Sequence, residues 1–220
     1  VGFRFFIHGL TIKAVETVRL YQNGPDYARR GCVGTVCLTQ RGCRPPDKGL
    51  NVRLQFLGAN RQVTGSRYVL DVAGLRIMID CGLFQERRFQ ARNWAESPVP
   101  ASSIDYLLLT HAHLDHCGLI PRLVAQGFDR PIITVEPSVR LAEIIMLDAG
   151  RIQEEDASYK KRRHAKKKQQ GRYPEIPLYT EDDAKQALSL LQAVRYGEPV
   201  SLNDEVTATF HEAGHILGSA

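Results

Sequence analysis

The chain has 220 residues, 43% of them hydrophobic, with a formal net charge of +5 and a pI near 9.0. That is enough apolar material for one packed domain, but no apolar run approaches the ~18 residues a membrane span needs. Five cysteines in no regular framework argue against a disulfide-stapled secreted scaffold and for a reducing compartment, the cytoplasm by default.

Residues 1–51 are rich in Gly, Arg and Cys, show no sustained period of 2 or 3.6, and end in the loop-like RGCRPPDKGLN. They are expected to be an atypical tail, disordered or non-native. The opening VGFRFFIHGLTIK is too short and too interrupted for a signal peptide. Cys32, Cys37 and Cys43 form no Cys-x-x-Cys pair and have no nearby histidine, so a zinc knuckle is disfavoured.

At Val52 the pattern changes. VRLQFLG, SRYVLDV and LRIMID alternate as half-buried strands do, with Gly74 in the turn between the last two. IDYLLLTHAH is a strand with few polar residues, expected to be buried on both faces. GLIPRLVAQG predicts a short helix ended by Gly127, and PIITV another strand. PSVRLAEIIMLDAGRIQEEDA predicts a helix with Pro137 near its start. YKKRRHAKKKQQGRYPEIP follows as a charged, flexible insertion whose basic run Lys160–Lys168 could meet phosphates. TEDDAKQALSLLQAV predicts a second helix capped by Thr180 with Asp183, and EVTATFHEA returns to strand. Strands followed by strands mixed with helices describe an α/β fold, sheets covered by helices.

The chemistry concentrates in LLLTHAHLDHCGLIPRL. Behind a hydrophobic strand stand His111, His113, Asp115 and His116. In an extended segment His111 and His113 point the same way and can reach one ion. Asp115 and His116 lie where a turn can face them to a second. Imidazole with carboxylate suits zinc, with manganese or iron less favoured.

His-x-His-x-Asp-His after a hydrophobic strand resembles the signature of the metallo-β-lactamase fold, an αββα sandwich. VRLQFLGANRQVTGSRYVLDVAGLRIMIDCGLFQ, EEDA, PLYTEDDA and AGHILGSA are similar to a narrower group within it, the β-CASP RNA-processing nucleases. The resemblance covers residues 52–220, the N-terminal part of such a domain, with the β-CASP domain itself absent. It implies two zinc ions in the full-length protein and hydrolysis of RNA phosphodiester bonds, on single strands, with exo- and endonuclease action both open and a homodimer left open. By it, His111, His113 and His215 would bind the first zinc, and Asp115 and His116 the second. Asp115 and Asp80 are the catalytic candidates, Asp80 holding a ligand histidine in its tautomer. Gln62 departs from the acidic residue often found there. The group usually begins with Met near Val52, which suggests a GUG start codon there and residues 1–51 not made. Further ligands would come from motifs after Ala220, so this chain is expected to be inactive alone, with partner strands missing beside Phe210. Other hydrolases of the fold, thioesterases or lactamases, and a non-catalytic scaffold subunit are the alternatives.

His211-Glu212-Ala213-Gly214-His215 also fits the His-Glu-x-x-His of zinc peptidases. That motif needs a helix. Strand-like residues precede it here, and Gly214 would cost a helix ~1 kcal/mol.

Overall fold

The alternation of residues 53–79 becomes three consecutive antiparallel strands, β4 (Arg53–Phe56), β5 (Tyr68–Val72) and β6 (Leu75–Ile79). From there the chain turns to parallel pairing with β7 (Tyr106–Leu108), β8 (Ile132–Val135) and β9 (Leu191–Val194). With β3 (Thr35–Cys37) on the far edge, these form a seven-stranded sheet in the order β3-β4-β5-β6-β7-β8-β9. In this computed structural model the described residues are 3–7, 9–14, 35–37, 52–168 and 171–220. Cys32 and Cys43, and the side chain of Cys37, lie outside them.

Register explains which side chains face which layer. Val69, Met78, Leu107 and Ile132 are cross-strand neighbours in one row. They pack under a helical layer with Ile120, Leu123, Ala142, Met146, Ala184 and Ala187. That layer comprises α1 (Leu114–Cys117), α2 (Ile120–Ala125), α3 (Glu136–Lys167) and α4 (Glu181–Ser189). One residue along, Ile79, Leu108 and Ile133 form the next row and point to the opposite face. There they meet Ile12, Val206, Ala208 and Phe210 of a second sheet. This smaller sheet is wholly antiparallel, in the order β1 (Phe3–Ile7), β2 (Leu10–Ala14), β11 (Val206–Phe210), β10 (Pro199–Ser201). The layers are helix, sheet, sheet, and both sheets deliver chain ends to the same rim.

Several expectations are corrected. The sequence before Val52 showed no strand, yet it supplies β1, β2 and β3, and Leu10 and Ile12 are fully buried. Phe210 consequently has a partner strand: β2 runs along β11, pairing Leu10 with Phe210. The flexible insertion is instead helix to Lys167, because Lys, Arg and Ala are strong helix formers and no Pro or Gly interrupts them until Gly171. The helix over 180–194 is cut at Ser189, and Leu191–Val194 pairs with β8 as a parallel strand. Thr180 and Asp183 cap α4 reciprocally, as their spacing indicates.

Candidate metal centre

The rim where β6, β7 and β11 end carries the titratable side chains. His111 and His113 follow β7 in extended backbone, His113 being the residue that opens α1. His215 lies in the loop after β11. His111 Nε2 stands 3.0 Å from His113 Nδ1, and His215 Nε2 stands 3.1 Å from the same His113 Nδ1. All three donor atoms fall within 4.8 Å of one another. Metal–nitrogen bonds of 2.0–2.1 Å at tetrahedral angles separate ligand nitrogens by ~3.4 Å, so these three imidazoles fit one ion with little adjustment. Burial holds His111 well below the usual histidine range, at about 3, with His116 adding to the effect. It therefore keeps a lone pair available for a metal at any ordinary pH.

Beside this cluster lie His116 and Asp115. The His111 and His116 rings have centroids 3.9 Å apart, and His116 Nε2 is 3.9 Å from Asp115 Oδ2. Behind them is Asp80, fully buried and at φ +56. Its Oδ2 is 2.7 Å from His116 Nδ1, so a proton on Nδ1 is held there and Nε2 faces Asp115 with its lone pair. Burial alone would lower His116; the Asp80 hydrogen bond and charge, with Asp115, carry it above its ordinary value.

Hydroxyls hold this arrangement together, and no sequence motif singles them out. Thr110 donates its backbone N–H to Asp80 Oδ1 at 2.9 Å, and its hydroxyl lies 3.0 Å from each Asp80 oxygen and from His111 Nδ1. Its carbonyl accepts from Ala220 N at 2.9 Å, tying the His215 loop to the His111 segment. Ser66 donates to Asp80 Oδ2 at 3.0 Å, and Ser219 Oγ accepts from His215 N at 3.1 Å. The available signal was a hydroxyl residue beside each charged motif, in TGS, LTHAH and LGSA.

Two glycines are required by close approach. A Cβ on Gly82 would lie 1.6 Å from the Asp115 carbonyl oxygen, which accepts Ser66 N. Gly218 has φ +81, and a Cβ there would meet Ser138 N and Oγ at 2.6 Å while Ser138 donates to Gly218 O. Gln62 is not at the centre: it accepts from Arg92 Nη1 at 3.1 Å in the neighbouring loop. His211 and Glu212 are exposed, their segment is not helical, and His211 is absent from the converging set. The peptidase spacing is thus a coincidence of residues that the fold points apart.

The sequence profile of the Metallo-beta-lactamase superfamily matches residues 61–183. "Ribonuclease TTHA0252" of Thermus thermophilus is 34% identical over 169 residues, covering 77% of this chain and 34% of that protein. "Transcription termination factor FttA" of Methanocaldococcus jannaschii is 31% identical over 170 residues, covering 77% of this chain and 24% of that protein. The chain therefore spans about a third or less of the length of these relatives. Among solved structures, a subclass B3 metallo-beta-lactamase from a soil metagenome library aligns at 18% identity and TM-score 0.37, over 69% of this chain and 46% of that one. No described helix is long and apolar enough to cross a membrane.

Proposed function

Because the chain belongs to the metallo-beta-lactamase superfamily, we propose that it forms the N-terminal part of a zinc-dependent hydrolase that cleaves RNA phosphodiester bonds. The observation that carries the reading is the convergence of His111, His113 and His215 nitrogens, three imidazoles on one rim with no carboxylate among them. A ribonuclease and a transcription termination factor among the relatives support RNA as substrate, and the basic end of α3 supports an anionic partner in the cytoplasm.

In this reading His111, His113 and His215 hold one zinc, and Asp115 and His116 contribute to a second. Bound zinc supplies Lewis acidity toward a phosphoryl oxygen and lowers the pKa of water toward ~7. The chain's own residues do the rest. Asp80 fixes the His116 tautomer, Thr110 fixes Asp80, and Asp115, partly exposed beside His116, is placed to accept a proton from an attacking water. Neutral His111 presents its nitrogen without first losing a proton.

The test is zinc content and cleavage of single-stranded RNA by the intact protein and its His113→Ala variant, with a thioester and a β-lactam as controls. Loss of zinc together with RNA cleavage in the variant is expected. RNA left intact while a control substrate is hydrolysed would assign a different hydrolase of the same fold. No bound zinc in the native protein would leave a non-catalytic scaffold.

A further inference from the structure

Away from the metal rim, three arginines meet without a counter-charge. Arg67, Arg92 and Arg122 line a cavity of about 10 Å³, together with Ser97 and Asn93. Among the described residues no carboxylate lines it, and none of the three guanidiniums forms an ion pair. Arg67 is only 7% exposed. The terminal nitrogens of Arg122 are spent on the carbonyls of Leu178 and Trp94, both at 3.1 Å. Those of Arg92 go to Leu57 O at 2.7 Å and Gln62 Oε1 at 3.1 Å. Three donors are left over: Arg67 Nε, Arg122 Nε and Ser97 Oγ are buried without a hydrogen-bond partner, and all three residues line this one cavity. Burial first, and then the charge of Arg67, presses the Arg92 and Arg122 guanidiniums below their usual range, with no carboxylate acting on either.

Buried, unpaired charges and orphan donors are costly. A guanidinium nitrogen only donates, so the three arginines cannot satisfy one another. The space fits a single water-sized guest, for which about 10–15 Å³ is the minimum. Water accepts two hydrogen bonds and cancels no charge. A phosphate or sulfate is too large. We propose that this cavity is a halide site, filled by chloride, which accepts from Arg67, Arg122 and Ser97 and offsets their charge. The ion ties the start of β5 and the turn around Asn93 to α2. Since Arg67 follows Ser66, it braces from behind the strand end that holds Asp80.

The experiment pairs bromide with gluconate, which is too bulky to enter, at constant ionic strength. The Tm of the purified protein rises by about 2–4 °C as bromide goes from zero to on the order of 100 mM, and a crystal grown in bromide shows an anomalous peak between Arg67, Arg122 and Ser97. Ser97→Ala, a mild change that leaves the fold intact, weakens the response, and Arg67→Met abolishes it. Equal Tm in bromide and gluconate with no peak in the cavity overturns the proposal and leaves a water there. A peak without any Tm response marks an adventitious ion only and also overturns it, as does a full response retained in Ser97→Ala.

Discussion

Thr110 touches each part of the metal centre, through its N–H and hydroxyl to Asp80, its hydroxyl to His111 and its carbonyl to Ala220 N. Thr110→Val keeps the branched shape and removes only the hydroxyl. Zinc affinity falls by about 10–100-fold, the usual cost of losing a partner behind the ligands, and Thr110→Ser restores it. Isothermal titration of the three proteins measures this. At the same scale, His215→Ala strips the tightest zinc, whereas His211→Ala leaves zinc content unchanged; equal loss in both would favour the peptidase spacing. The histidines also set a pH order. A ligand must be deprotonated. His111 is held down near 3 by burial, while His116 is raised by Asp80 against its own burial. As pH falls, protons therefore compete at His116 first. A zinc titration at acidic and neutral pH should lose the weaker equivalent on acidification while the tighter one persists; simultaneous loss of both would contradict the assignment.

Among elements, α3 has the most to test. Its 32 residues span about 48 Å. It starts beside the rim, where Ser138 holds the Gly218 loop, and ends in Lys166 and Lys167. If its far end meets phosphates, replacing Lys166, Lys167 and Lys168 by Gln lowers the salt slope of RNA binding by roughly one for each phosphate no longer neutralised, for long oligonucleotides and not for ones too short to reach. Filter binding across a salt series reads this. Strands β4 to β8 and the first half of α3 were legible because alternation and 3.6-residue periodicity are local signals, and His111, His113, Asp115 and His116 because they cluster in one short segment. What was not legible has long-range causes. Residues 10–14 are a strand because β11 offers an edge nearly 200 positions later. Leu191–Val194 leaves a helical pattern because β8 captures its backbone. Thr110 and Ser66 are ordinary residues until Asp80 folds between them.

For the whole molecule, the two sheets share one core, and β2 is part of it. Deleting residues 1–14 uncovers the β11 edge and the faces of Ala208 and Phe210, both fully buried. The urea midpoint should drop and concentration-dependent aggregation appear, since an open edge strand invites pairing. Unchanged stability would mean that other strands take that edge in the native protein, in line with a start at Val52. Mass spectrometry of the native N-terminus decides the start directly: peptides from residues 1–51 exclude that codon. Ligand supply sets the metal count. With three imidazoles for one position and only Asp115 and His116 for its neighbour, the 220-residue chain should hold one zinc tightly and a second weakly by equilibrium dialysis.

The threonine-centred network has one more consequence, for loading kinetics. Asp80, Thr110 and the His215 loop are bonded to one another through protein atoms alone, so the ligand nitrogens are already gathered before any ion arrives. Their ordering entropy is spent during folding. Capture of zinc then resembles docking into a finished socket, in contrast to zinc fingers, whose chains must collapse around the ion. A chelator should strip the protein without unfolding it, circular dichroism should not change, and re-addition should refill the socket in a single bimolecular phase, with no slow refolding step.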